Sequence, residues 1–114
     1  MDDDSLDAIL QALSHRTRRA ILEQLAAGPV MVRDLAKQLN VSRFVVMKHL
    51  NVLEHARLVS RAVDRHIRRS ALSMAPLEAL EEWLKDRQAT WEDSGNDGAS
   101  VRFAMRRGSD IRVD

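Results

Sequence analysis

Between residues 42 and 75 the chain carries seven Lys or Arg (Arg43, Lys48, Arg57, Arg61, Arg65, Arg68, Arg69) against two acids, Glu54 and Asp64. The flanks differ: residues 1–41 hold five basic side chains against six acidic ones, residues 76–93 two against six, and residues 94–114 four against three. The formal charge of +1 therefore conceals one contiguous basic block. Such a block equips a surface to meet phosphate, although a solvated charged face is an equally common use of the same residues. Within it, Arg43, Phe44, Met47, Lys48 and Asn51 fall at i, i+1, i+4, i+5 and i+8, so on a helix they project from one side. Arg43 can donate two parallel hydrogen bonds to a guanine edge or a phosphate, Lys48 is a point charge suited to phosphate, and Asn51 has the geometry to read adenine. Phe44 and Met47 suit thymine methyl groups, or equally an interior. Ser42 is placed to cap this helix, where the first backbone N–H groups also hold phosphate. His49, on the same helix, hydrogen-bonds backbone, phosphate or a packing neighbour. A second cluster, Arg65, His66, Arg68 and Arg69, suits contact with a DNA backbone or minor groove.

Other chemistries are poorly supplied. The chain has no cysteine, which removes disulfides, thiolate nucleophiles and thiolate metal sites together. Its four histidines, His15, His49, His55 and His66, are scattered and share no helical face with carboxylates, so no metal site is expected. There is no glycine-rich phosphate loop and no Ser/His/acid constellation, which argues against an enzyme and implies no cofactor. No stretch approaches the roughly 20 apolar residues of a membrane span. The start Met1-Asp2-Asp3-Asp4-Ser5 is acidic where a secretory signal is basic, and a cytoplasmic location is expected.

The elements that must position the basic residues follow from apolar spacing. Leu6, Ile9, Leu10 and Leu13 behind Ser5 predict a first helix over 5–13. Ser14 or His15 restarts the chain into a second helix, 16–27, ended by Gly28-Pro29. Val32, Leu35, Ala36 and Leu39 predict a compact third helix, after which Asn40 suits a left-handed turn and Ser42 a new cap. The fourth helix runs from about Arg43 to His55, with Val46, Leu50 and Leu53, helped by Val45 and Val52, facing the core. Two helices so tightly joined read as a helix-turn-helix. Residues 58–63 and 67–73 read as a hairpin around Asp64-Arg65-His66, without the glycine that a short hairpin loop prefers. Pro76 opens a last helix carrying Leu77, Leu80, Trp83, Leu84 and Trp91. The expected fold is mainly α with a small β-hairpin, one domain over 5–92, and a disordered tail over 93–114.

With these segments in place, the chain resembles the ArsR-type (arsenic-repressor-like) winged-helix regulators over roughly residues 6–91. Leu13-Ser14-His15-Arg16-Thr17-Arg18-Arg19-Ala20-Ile21-Leu22 is similar to the opening of that family's second helix. Val32-Arg33-Asp34-Leu35-Ala36 and the run Val41-Ser42-Arg43-Phe44-Val45-Val46-Met47-Lys48-His49-Leu50-Asn51-Val52-Leu53-Glu54 resemble its third and recognition helices, and Arg57-Leu58-Val59 the entry to its wing. The departures are the missing wing glycine, Arg16 where the family often has proline, and the long tail.

The resemblance implies a winged helix-turn-helix whose first and last helices dimerise, and repression relieved by an inducer that the sequence does not name. It moves Phe44 and Met47 toward the DNA face. The family's cysteine metal site has no counterpart here, and its Asp/His site on the last helix has none either, because residues 76–92 lack histidine. The tryptophans Trp83 and Trp91 resemble those of a metal-independent branch. The expected partners are double-stranded DNA, read through helix 42–55 and wing 58–73 at an inverted-repeat operator, and a second copy of the chain. That second copy is held through Leu6, Ile9, Leu10, Leu13, Leu77, Leu80, Trp83, Leu84 and Trp91, with Trp83 as anchor. The rival reading is a winged-helix module that docks a protein on the Phe44/Met47 face.

Overall fold

The structure is a computed structural model in which residues 1–94 are described. The elements follow in the order α1 (Asp3–Leu13), α2 (Arg16–Leu25), α3 (Val32–Leu39), α4 (Arg43–His55), β1 (Val59–Asp64), β2 (Ile67–Leu72) and α5 (Ala75–Glu92). This is the expected mainly α chain with one hairpin. The expected tail lies, from residue 95 onward, outside the described residues.

Helix ends show where local chemistry decides. The cap of α1 is Asp2 rather than Ser5: the Asp2 carboxylate accepts the Ser5 backbone N–H at 2.7 Å, and Asp3 and Asp4 occupy the first turn, where carboxylates favour the helix dipole. Hydrogen bonding to Ser5, side chain first and backbone second, holds the Asp2 carboxyl below its ordinary range. Nδ1 of His15 caps α2 by accepting from Thr17 N–H at 3.1 Å. The α2 helix closes at Leu25, two residues short of the expected end, and the chain then turns at Gly28, whose φ of 144° suits only glycine. Asn40 takes the left-handed conformation at φ 56°, which lets Val41 N–H reach back to the Ala36 carbonyl at 3.1 Å. Ser42 Oγ then accepts the Val45 N–H at 3.1 Å and starts α4. At the far end of α4 the left-handed residue is Arg57 (φ 62°), and Leu58 N–H returns to the Leu53 carbonyl at 2.9 Å.

Val46, Leu50 and Leu53 of α4 are fully buried against Ile9 and Ala12 of α1, Ile21 and Leu25 of α2, and Leu35 and Ala36 of α3. Each large aliphatic side chain so buried contributes roughly 1.5–3 kcal/mol. Ala56, Leu58 and Val59 extend this core into the hairpin root. The strands are antiparallel with Val59 opposite Leu72 and Asp64 opposite Ile67, so the loop is the two residues Arg65-His66. Both have positive φ (51° and 70°), the backbone of a primed hairpin turn achieved without glycine. Val30 adds a single bridge to the free edge of β2, exchanging backbone hydrogen bonds with Ser70 at 3.0 and 2.8 Å.

The chain divides into two compact units, Met1–Leu80 and a second beginning at Glu81 within α5. In the first, Leu77 and Leu80 pack on the core just described. In the second, α5 continues as helix to Glu92, and no α5 residue is fully buried.

Candidate nucleic-acid interface

The short α3–α4 turn holds α4 by its buried side, so the opposite side is presented outward. Arg43, Phe44, Lys48 and Asn51 are all exposed there, Phe44 at 71% of its surface. Lys48 Nζ lies 5.5 Å from the Phe44 ring centroid, so one turn of α4 holds a cation over an aromatic face. Ser42 is exposed at the start of this surface. An exposed phenylalanine beside three polar side chains is not an interior residue, which resolves the choice left open for Phe44.

Met47 and His49 do not join this set. Met47 is half-buried against the core, and its sulfur receives a contact from Arg61 Nη2 at 3.8 Å, because its position on α4 faces the hairpin. His49 faces α2: its ring centroid is 4.5 Å from that of His15, and its Nδ1 is 3.3 Å from Arg18 Nη1. Burial first, and then the neighbouring His15, Arg18 and Lys48, lowers the His49 pKa, which favours the neutral ring. It is the packing-neighbour role, among those open to His49, that the geometry realises.

The wing separates its basic residues. Strand alternation puts Arg68 on the face of Ser70 and Arg61, and Arg69 on the other, opposite Ala62. Arg65, His66 and Arg68 are exposed at the tip, whereas Arg69 is half-buried beside Pro29, Val30, Asp34 and Lys37. The tip and the open face of α4 therefore carry Arg43, Lys48, Arg65 and Arg68 as exposed cations, with Asn51 between charge and core.

Two further interactions position these surfaces, and sequence reasoning misses both. Arg18 donates to the carbonyls of Ala12 at 2.9 Å and Gln11 at 2.8 Å while meeting His49, which ties the end of α1 and the body of α2 to α4. Arg61 of β1 pairs with Glu54 of α4, both half-buried, and so fixes the wing to the helix. Neither shows as a helical i, i+4 pair. The one available signal is for Arg18, which lies in the first turn of α2 just after the end of α1, where free carbonyls gather.

Of the apolar residues expected between two copies, Ile9 is only 3% exposed and belongs to the chain's own core, a correction that follows from its position facing α4. Leu6, Leu13, Leu77 and Leu80 are half-buried. Leu10 is 46% exposed, Leu84 53% and Trp91 60%. Trp83 is half-buried, with the Arg87 guanidinium 5.9 Å from its ring centroid. Among the described residues no group of three or more His, Cys, Asp or Glu is placed to hold a metal, and no helix is long and apolar enough to cross a membrane.

Three helices behind a helix-turn-helix, with a two-stranded wing beside it, define a winged helix-turn-helix protein. A helix-turn-helix domain family profile matches residues 13–62. The HTH-type transcriptional regulator Rv2034 of Mycobacterium tuberculosis is 56% identical over 55 residues, 48% of this chain and 51% of that protein. The transcriptional repressor SdpR of Bacillus subtilis is 34% identical over 55 residues, 48% of this chain and 61% of that protein. The chain thus matches little more than half the length of these two regulators. Among solved structures, the ArsR family transcriptional regulator RHA00566 superposes with a TM-score of 0.72 at 35% identity, covering 81% of this chain and 95% of that one. The chain belongs to the ArsR family of winged helix-turn-helix regulators.

Proposed function

We propose that this protein is a sequence-specific transcriptional repressor that binds duplex DNA as a homodimer, in the cytoplasm, at an imperfect inverted repeat. The observation that carries the reading is the outward face of α4, where Arg43, Phe44, Lys48 and Asn51 stand exposed beside a wing tip bearing Arg65, His66 and Arg68. In a helix-turn-helix the second helix enters the major groove with its N-terminal residues on base edges, which gives Arg43 and Phe44 the reading positions. Lys48, Arg65 and Arg68 meet phosphate and set register. Ser42 and the first turn of α4 add a backbone contact. Arg69, half-buried at the wing root, contributes less than the tip. The repressor direction rests on the likeness to SdpR.

The dimer reading draws on the apolar side chains left exposed on α1 (Leu10) and, separately, on α5 (Leu84 and Trp91). Any inducing signal is independent of transition metals, since cysteine is absent and the histidines engage other partners or stand alone. Zinc, nickel, copper or arsenite at one equivalent leaves DNA affinity unchanged; a shift reversed by chelator would overturn this part.

The test is selection of duplexes from a random pool by the purified protein, followed by titration at several salt concentrations. The expected result is an inverted repeat bound with steep salt dependence. Arg43→Ala should weaken the selected site by about 1–3 kcal/mol more than random DNA, and Arg68→Ala should weaken both alike. Affinity that ignores salt would sink the reading in favour of protein docking at Phe44.

A further inference from the structure

We propose that the cavity on the Ser70 face of the wing is an effector site for a small carboxylate bearing an apolar body, and that its occupation weakens DNA binding. The regulatory half rests on the function proposed above. The cavity, about 220 Å³, is bounded by Val32 at the start of α3, Met47 of α4, Arg61 of β1, and Arg68, Arg69 and Ser70 of β2. Its charge is unbalanced. Arg61 is neutralised by Glu54, whereas Arg68 and Arg69 form no ion pair among the described residues. Arg68 lies on the Ser70 face of β2 and Arg69 on the other, so one unpaired guanidinium, that of Arg68, is turned to this space, where it repels a cation and attracts an anion, and a guanidinium pairs best with a planar carboxylate.

Ser70 adds a polar group to the lining. It is 2% exposed and is the one fully buried polar residue among the described residues. Its backbone N–H and C=O are both engaged by Val30, which leaves the hydroxyl as its remaining donor. Val32 and Met47 line the same space, so a fully hydrated oxyanion such as phosphate would leave that apolar lining unused. An anion carrying a ring or short chain satisfies both sides. The volume lies below the roughly 300–1,000 Å³ of drug-sized sites, which restricts the ligand to about one ring.

The walls come from the two elements that touch DNA. Arg68 lies on the Ser70 face of β2 and is also a phosphate contact in the proposed complex. A bound carboxylate takes up N–H donors of Arg68 and offsets its charge, so the ligand weakens the phosphate contact, and the coupling is reciprocal.

The experiment uses the full chain with methyl-labelled methionine, in which Met47 is one of five signals. At matched ionic strength, benzoate, benzamide, acetate and inorganic phosphate are titrated without DNA. Benzoate should shift the Met47 methyl with a Kd on the order of 1 mM, typical of so small a ligand. Benzamide, acetate and phosphate should each bind roughly tenfold more weakly, as should benzoate to Arg68→Gln. Saturating benzoate should then lower duplex affinity. An unmoved Met47, or benzamide equal to benzoate, overturns the site; phosphate equal to benzoate overturns its ligand class. Binding of benzoate with unchanged duplex affinity overturns the regulatory half. Salt-dependent duplex binding without benzoate is read separately, so a failure of the DNA reading is distinguishable from a failure of this site.

Discussion

His49 shows how a residue on a reading helix can serve the scaffold instead. Its ring is held between His15, Arg18 and Lys48, where burial first and positive neighbours second lower its pKa from the ordinary 6.5. The consequence for stability has a definite sign. In the window just below pH 6.5 the unfolded chain takes up a proton that the folded chain refuses, so stability falls as the solution is acidified through that window and is fully present above it. Denaturant melts of wild type and His49→Gln between pH 5 and pH 8 should differ in slope below about pH 6.5 and run parallel above it. Parallel curves throughout would assign the acid sensitivity to other groups. The sequence places His49 correctly on the fourth helix but not on its face, because Lys48 and Leu50 beside it point to opposite environments and the intervening position is set by what α2 supplies. Phe44 was legible only by resemblance, since an aromatic at helical spacing fits a core equally well.

At the scale of elements, much that local chemistry fixes was readable: the Asn40 turn, the Ser42 cap, the span of α4 and the presence of an antiparallel hairpin, although its turn is Arg65-His66 alone and Asp64, expected in the turn, pairs with Ile67. What escaped reading depends on contacts distant in sequence, as with Arg18 meeting His49 or Val30 bridging Ser70, or on a choice among equivalent groups, as with Asp2 capping α1 ahead of three further acceptors. The glycine-free wing turn makes its own prediction. Left-handed backbone costs an ordinary residue roughly 1–2 kcal/mol, and here two adjacent ones, Arg65 and His66, adopt it. The double change Arg65→Asn with His66→Gly should raise stability by about 1 kcal/mol, or roughly 4–8 °C in Tm, once the greater freedom of glycine in the unfolded chain is discounted. The same protein should bind DNA more weakly, because a tip cation is gone, with a salt slope shallower by about 1. Stabilisation without any loss of DNA affinity would remove the wing tip from the interface. Glu54→Ala offers the complementary case: it frees Arg61 and unties the wing from α4, costing about 1 kcal/mol of stability but more in DNA affinity. If affinity and stability fall by equal amounts, the pair is structural only.

At the scale of the whole molecule the open question is what covers α5. Leu77, Leu84 and Trp91 recur every seven residues along it, so they share one helical face. The first packs on the chain's own core, while the later two stay about half exposed or more, at 53% and 60%. In the second unit α5 leaves Leu84 and Trp91 exposed, and in the first α1 separately leaves Leu10 exposed, and apolar side chains so exposed suit a partner surface. In the proposed homodimer another copy of the chain would supply matching faces through a two-fold axis, as symmetric dimers do, and such an axis would set two α4 helices one DNA turn apart, about 34–36 Å. Trp83 is half-buried with Arg87 over its ring, so in the proposed interface we expect Leu84 and Trp91 to carry more of the contact than Trp83. The double variant Leu84→Ser with Trp91→Ser should therefore sediment as a folded monomer at micromolar concentration. Its far-UV spectrum should match wild type, and its affinity for an inverted repeat should drop to that for a single half-site. Trp83→Ala, by contrast, should leave the protein dimeric. A wild-type protein that sediments as a monomer while binding the full repeat at undiminished affinity would end the dimer model and leave the apolar face of α5 for a different partner.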